Sequence, residues 1–322
     1  MKSFVINKND AGRRADQFVS RVCKNMPKSL IQKSFRKGRI KVNGKKIAYD
    51  YRLAVGDEAQ LYINDEFFGE VSQEVAVQKV KPQLDIIYED ENIIIVDKPA
   101  GMIVHSDEGE SVNTLINHII SYLIGKGEYD PNGGADTFVP ALCHRIDRNT
   151  CGLVVAAKNA ESLRVMNDII KHRMIRKIYR CCLVGVPQQK KAVCEAYLKR
   201  DLDKKRVYVT KEKQKDALPI KTGYHIISSK DGLSLAEVEL FTGRTHQIRA
   251  HMAFLGYPLA GDGKYGTNAV NKSLGLSHQE LCAYMIQFKD GFEQTALGYL
   301  CGKCFISKKE LVTFKQTNLK GV

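Results

Sequence analysis

The chain has 322 residues, 43% of them hydrophobic, and carries 50 Lys+Arg against 36 Asp+Glu for a formal net charge of +14. That length excludes a small disulfide-stapled module and predicts about two domains with real cores, and the charge calls for a polyanionic partner. Met1 to Lys8 lacks the apolar centre of a signal peptide and no apolar run approaches the ~18 residues that span a bilayer, so a soluble, cytoplasmic protein with no membrane partner is expected.

The charge is concentrated. Between Arg13 and Lys46 lie twelve basic residues and one acid, Asp16, so this stretch alone supplies +11 of the +14. Ala15, Phe18, Val19 and Val22 follow helical spacing, and Leu30, Ile31 and Phe35 repeat it after Pro27. Ile40 to Ile47 alternates around Asn43-Gly44, which predicts a hairpin, and Val55 to Ile63 reads as a further strand. Two short basic helices are thus expected to lean on a small sheet. Without an anionic partner, so dense a charge would repel itself.

Asp65 to Leu84 has no sustained period and reads as a linker. Beyond it, Ile86-Ile87-Tyr88 and Ile93-Ile94-Ile95-Val96 predict a hairpin of β-branched residues, ended by Lys98-Pro99-Ala100-Gly101. Leu115, Ile116, Ile119, Ile120 and Leu123 mark one amphipathic helix, and Leu163, Met166, Ile170 and Met174 mark another after Asn159, a natural N-cap.

Between these helices the polar stretch His144-Arg145-Ile146-Asp147-Arg148-Asn149-Thr150 runs into the apolar strand Leu153 to Ala157, the pattern of a site loop feeding a buried strand. Arginines on either side of Asp147 favour its carboxylate form. A second polar cluster, Gly243 to His251, follows the strand Ala236 to Leu240. As a helix it would turn Thr245, Ile248, Ala250 to Met252 and Leu255 inward and leave Arg244, Gln247 and His251 along another face, available to phosphate or carboxylate.

The nine cysteines are scattered along the chain, and their odd number fits reduced thiols. Cys301-Gly302-Lys303-Cys304 has metal spacing but no second ligand pair nearby, so no metal is expected.

The stretch Arg13-Arg14-Ala15-Asp16-Gln17-Phe18, with Gly38-Arg39-Ile40-Lys41-Val42-Asn43-Gly44 and the closing Val55-Gly56-Asp57, resembles the S-four-like RNA-binding domain. His144-Arg145-Ile146-Asp147-Arg148-Asn149-Thr150-Cys151-Gly152 resembles the His-Arg-Leu-Asp-x-x-Thr-Ser-Gly signature of the RluA family of RNA pseudouridine synthases, in its RluC- and RluD-like branch. Asp97 to Gly101, Gly243 to Arg249 and Gly261 to Gly266 match three further family signatures in the same order.

The resemblance implies a fold and a chemistry. The fold class is α+β: a basic RNA-binding domain over 1–64, a linker over 65–84 and a mostly antiparallel mixed-sheet catalytic domain over 85–322, with the cleft across the sheet. The reaction isomerises uridine in RNA to pseudouridine with no cofactor, after the base is flipped from its stack. Asp147 is then the catalytic carboxylate, attacking the anomeric carbon or removing a proton beside it. Arg244 matches the basic residue that pairs with that carboxylate, and Tyr179 the active-site tyrosine. Arg145 corresponds to the arginine that fills the space of the flipped base, and Ile248 to an apolar pocket residue. Arg13, Arg14, Lys33, Arg36, Lys37 and Arg39 are the expected RNA contacts of the basic domain.

Cys151 stands where the family usually has Ser, and Ile146 where it has Leu. Cys151 abuts a buried strand without a base partner and reads as a packed thiol rather than a nucleophile. The expected partner is RNA, with large-subunit ribosomal RNA ahead of transfer RNA, and the expected state is a monomer. The competing reading is a non-catalytic RNA-binding ribosome-assembly factor. Asp147, Tyr179 and Arg244, all present, argue against it.

Overall fold

Turn chemistry sets the first hairpin where the sequence places it. In the computed structural model, which describes residues 1–68, 77, 80–106, 109–131, 138–201 and 203–315, β1 (Lys2–Val5) precedes α1 (Ala15–Val22) and α2 (Lys28–Arg36). The chain continues through β2 (Ile40–Val42), β3 (Lys45–Lys46) and β4 (Glu58–Leu61). Asn43 and Gly44 both take positive φ, 48° and 75°, as a two-residue hairpin turn of this hand requires. The four strands form one sheet in the order β1-β4-β2-β3. Its core joins Phe18 and Val19 of α1 to Ile31 and Phe35 of α2, and both to Ile40, Val42 and Leu61 of the sheet. The expected strand over 55–63 shrinks to β4, because Val55 and Gly56 form the turn that leads into it. β1 has no counterpart in the sequence reading.

Of the expected linker, 65–68 forms a short 3-10 turn at Asp65–Phe67 and its tail, while 69–76, 78 and 79 lie outside the described residues. Next come β5 (Ile86–Glu89), β6 (Ile93–Lys98), α3 (Leu115–Gly125), β7 (Ala141–Leu142), β8 (Cys151–Ala157) and α4 (Ala160–Lys171). The antiparallel run β9 (Ile175–Val184), β10 (Lys191–Asp201), β11 (Arg206–Thr210), β12 (Leu218–Lys230) and β13 (Leu233–Leu240) follows. α5 (Gln247–Phe254), α6 (Asn268–Ser273), β14 (Leu281–Phe288), β15 (Cys304–Ile306) and α7 (Val312–Lys315) complete the described chain.

These strands make an eleven-stranded sheet, ordered β11-β10-β12-β13-β9-β14-β8-β6-β5, with β7 on β8 and β15 on β14. Every pairing in it is antiparallel except β8 with β14. The protein is therefore α+β with a mostly antiparallel mixed sheet, as the sequence implies.

β6 explains how the sheet is covered. Its run Ile93-Ile94-Ile95-Val96 is buried throughout because both faces are occupied. Ile93 and Ile95 pack with Met166 and Ile169 of α4 and with Phe288, while Ile94 and Val96 pack with Leu115 and Ile119 of α3 and with Tyr179, Ile248 and Met252. Each such side chain contributes about 1.5–3 kcal/mol by leaving water. Asn159 caps α4 as expected, its side-chain oxygen accepting from Ser162 N at 2.8 Å, and Thr114 caps α3 in the same manner.

The parallel crossing of β8 with β14 pairs Cys151 with Cys282 and Gly152 with Ala283. Gly152 takes φ +107°, and a Cβ there would stand 2.4 Å from the Ala283 carbonyl oxygen. Only glycine lets the two strands meet just beyond the site loop.

Candidate active site

The loop that carries Asp147 connects β7 to β8 and is fastened at several points. Thr150 N–H donates to the Asp147 carbonyl at 3.1 Å, closing a turn, and Gly101 N–H donates to the Arg148 carbonyl at 3.0 Å. Lys98, fully buried at the end of β6, donates its ammonium to the carbonyls of Pro99, Met102 and Arg148 at 2.9, 2.7 and 2.9 Å. Burial pushes its pKa down to about 8, against the opposing pull of Cys151 and Asp147. The Asp97-Lys98-Pro99-Ala100-Gly101 stretch is thus a brace under the Asp147 loop.

Asp147 stands in a cavity of about 570 Å³ between that loop, β9 and the N-terminal end of α5. Its Oδ2 accepts from Arg249 Nη1 at 3.1 Å. The same guanidinium donates through Nε and Nη2 to the fully buried Asp262 carboxylate, at 2.7 and 2.9 Å. Burial works against the charge of Asp262, but its bonds to Arg249 and to the N–H groups of Lys264 and Tyr265 outweigh this and hold the carboxyl below its ordinary range. Arg249 therefore sits between two carboxylates, one locked and one facing the cavity.

This corrects the sequence assignment of Arg244 as the partner of Asp147. α5 starts at Gln247, and Arg244 lies ahead of it in an exposed turn at the cavity rim. His246, with φ 52°, is left-handed and redirects the chain, so the first helical turn presents Ile248 and Arg249 to the site. The expected inward and outward faces of this segment change accordingly. Thr245 is exposed, while Gln247 and His251 are buried. Gln247 accepts from Arg244 N and Thr242 Oγ1 and donates to Thr222 Oγ1, and the His251 Nδ1 lies 2.9 Å from the same Thr222 hydroxyl.

Tyr179, Ile248, Arg145 and Arg244 line the cavity with Asp147. Tyr179 lies in β9; burial, then the nearby Asp147, raises its pKa far above the ordinary value, so its hydroxyl keeps its proton. Ile248 is 3% exposed and packs in the main core as well as the cavity wall, and Arg145 is exposed at the rim. His246 places Nε2 3.9 Å from Asp147 Oδ2 and Nδ1 3.0 Å from the Tyr265 hydroxyl. Burial lowers its pKa despite that carboxylate.

Arg249, His246, Asp262, Tyr265 and Lys98 were not singled out from the sequence, although each falls inside a quoted signature. The available signal was the pairing of a motif arginine with the aspartate of Gly261-Asp262. Cys151 is half-buried, its Sγ 3.6 Å from the Leu281 carbonyl, and stays out of the cavity lining.

The basic residues around α1 and α2 do not line this cavity. Lys33, Arg36, Lys37 and Arg39 are exposed along α2 and the turn after it. Arg13 and Arg14 are drawn inward: Arg13 donates to the buried Asp10 at 2.5 Å, and Arg14 grips Asp16 through Nε and Nη2 while its guanidinium lies over Tyr49.

A sequence model described as RNA pseudouridylate synthase matches residues 92–254, which include both the Asp147 loop and Arg249. The Bacillus subtilis protein named Uncharacterized RNA pseudouridine synthase YlyB is 31% identical over 279 residues, covering 85% of each chain. The Vibrio parahaemolyticus protein named Ribosomal large subunit pseudouridine synthase C is 30% identical over 291 residues, covering 88% of this chain and 87% of its own. The structure of Human RNA Pseudouridylate Synthase Domain Containing 4 shares the fold, with a TM-score of 0.54 at 22% identity over 74% of this chain and 92% of its own. The cavity with Asp147, Arg249 and Tyr179 therefore lies within a chain that belongs to the RluA family of pseudouridine synthases and is an RNA pseudouridine synthase.

Proposed function

We propose that this enzyme converts specific uridines of large-subunit ribosomal RNA to pseudouridine, with Asp147 as the catalytic carboxylate. The observation that carries the role is the Arg249 bridge, which holds one carboxylate at the cavity while anchoring itself on a second, the other acid of the lining, Glu239, being paired with Arg176. A carboxylate held in that way stabilises positive charge on a sugar as its bond to the uracil nitrogen breaks. It stands equally ready to attack the anomeric carbon or to take a proton from the neighbouring carbon. Once the base is free and turned, the sugar rejoins it through a ring carbon. Tyr179, protonated and beside Asp147, supplies a ring surface for uracil and a hydroxyl for proton movement at that carbon.

In this reading residues 1–64 are an S-four-like RNA-binding domain, 65–84 a linker and 85–322 the catalytic domain, acting together as a monomer. The exposed cations of α2 contact RNA phosphate, and Arg145 fills the gap left by the flipped base. Ribosomal RNA is favoured over transfer RNA by the names of relatives such as the Vibrio protein.

The test is to map pseudouridine by carbodiimide-dependent primer-extension stops in total RNA from cells with and without the gene. The expected result is loss of discrete stops in large-subunit ribosomal RNA, restored by the wild-type gene and not by Asp147→Asn. Loss confined to transfer RNA would overturn the substrate, and unchanged stops in all RNA would overturn the reading.

A further inference from the structure

Two hydrogen-bond donors in the wall of the cavity have no acceptor. Val155 N–H donates to His144 Nε2 at 3.3 Å, so Nε2 is the acceptor nitrogen and the ring proton sits on Nδ1. That Nδ1 is buried and unpartnered. Buried polar groups are nearly always satisfied, and one that is not points to a missing ligand or water.

Beside it is Lys177, whose charge adds to the effect of burial in keeping His144 neutral. The Lys177 ammonium makes no ion pair or hydrogen bond among the described residues. Lys98 shows the contrast, with its buried ammonium satisfied by three carbonyls. The two acids that line the cavity are already engaged, Asp147 with Arg249 and Glu239 with Arg176. Arg173 and Lys289, exposed residues of the cavity lining, also lack an acidic partner among the described residues. The cavity has cations to spare and no protein anion to receive them.

The spacing says what the anion is. Lys177 and Tyr179 are two residues apart in β9, so their side chains stand on one face about 6.6 Å apart along the strand. With uracil against Tyr179, that separation suits the phosphate attached to the same nucleotide. We propose that Lys177 and His144 Nδ1–H, with Arg173 and Lys289 at the entrance, form a phosphate subsite that holds the backbone phosphate of the target uridine beside Asp147. This inference rests on the synthase reading for its uridine but not for its anion. Its role is to fix the flipped nucleotide at two points, base and phosphate, so that the anomeric carbon meets Asp147 in one orientation.

The test compares binding of uridine, uridine 5′-monophosphate, uridine 3′-monophosphate and inorganic phosphate to the full chain, by calorimetry or 31P line broadening, in wild type, Lys177→Met and Lys177→Arg. One of the monophosphates should bind wild type at least about tenfold more tightly than uridine does, as a charge-assisted pair with phosphate allows. The identity of that monophosphate names the side of the nucleotide that is gripped. Lys177→Met should erase the advantage and Lys177→Arg should keep most of it, with melting temperatures close to wild type.

Equal binding of uridine and both monophosphates to wild type would overturn the subsite, as would an advantage that survives Lys177→Met. Conversion of uridine in total RNA from gene-deleted cells, run in parallel with Asp147→Asn, reports on the synthase reading separately. Lys177-dependent phosphate binding without any conversion would keep the anion site and remove its assigned nucleotide.

Discussion

The ammonium of Lys98 lies 2.9 Å from the carbonyl oxygen of Arg148, the residue after Asp147, and spends its other two hydrogens on Pro99 and Met102. The turn that aims Asp147 is therefore held from below by a single buried cation. Lys98→Met removes three charge-assisted bonds and leaves the Pro99 and Met102 carbonyls without that donor, while Arg148 keeps only its bond from Gly101 N–H, so stability should fall by about 3 kcal/mol. Chemical denaturation reads the stability. Single-turnover rates on RNA should fall too, because the turn loses its anchor, and an unchanged rate would show that Asp147 is aimed without Lys98.

Arg249 and Arg244 should separate cleanly. Arg249→Ala leaves Asp262 buried without its cation, a change that costs about 3–5 kcal/mol, and it also releases Asp147. Arg244→Ala touches an exposed side chain and should stay within about 0.5 kcal/mol of wild type. Denaturation midpoints and single-turnover rates of the pair would show this, and an Arg244→Ala protein as inactive as Arg249→Ala would return the pairing role to Arg244.

Gly152→Ala should fail to fold stably. The added Cβ would meet the backbone of Ala283 at 2.4 to 2.7 Å with φ at +107°, and neither strand can yield without opening the β8 to β14 crossing. Soluble yield and melting temperature test this, and a protein that melts like wild type would mean that the crossing is looser than its geometry.

Salt dependence should distinguish the basic residues around α1 and α2. Replacing Lys33, Arg36, Lys37 and Arg39 by Gln removes four exposed cations, and the slope of log affinity against log salt should flatten by about 3 if all contact phosphate. Arg13→Gln and Arg14→Gln should change the slope less, since those guanidiniums are already engaged by Asp10 and Asp16. Equal effects from both groups would show that RNA displaces these internal pairs.

Stability should decline in mild acid. Burial pushes the pKa of His251 down to about 4 and lowers that of His144 well below its ordinary value of 6.5. The folded protein thus holds both rings neutral while the unfolded chain binds protons near pH 6.5. Stability is full above that pH and falls as the pH drops towards 4, by on the order of 2 kcal/mol for His251 alone. Urea midpoints from pH 8 to 4 should show the decline, and His251→Leu should flatten it. A wild-type midpoint independent of pH would contradict this account.

Local signals carried well from sequence to structure. Asn43-Gly44, the break at Pro27 and the Asn159 cap each act within a few residues, and each appears where its chemistry places it. The Asp147 loop and Tyr179 were legible through the family signatures. The pairing of Asp147 was not, because it depends on His246 entering a left-handed conformation, which no periodicity reports. Matching the family's basic residue to Arg244, the first of the two arginines in Gly243 to Arg249, put the wrong guanidinium on the site. The long strands β10 to β12 were missed for another reason: much of their length faces solvent, so apolar alternation is diluted by charged residues such as Lys191, Glu195 and Lys199.

The parallel pair β8 and β14 starts at one end of the sheet, so two segments far apart in sequence, 143–150 and 262–280, arrive at a common edge. They touch there, Gln279 donating to the Thr150 hydroxyl at 3.4 Å. The first segment carries Asp147, and the second carries Asp262, which anchors Arg249, and Tyr265, whose hydroxyl lies 3.0 Å from His246 Nδ1. Any change that slides β14 against β8 therefore moves the Asp262–Arg249 pair relative to Asp147, although the two carboxylates lie more than a hundred residues apart in sequence.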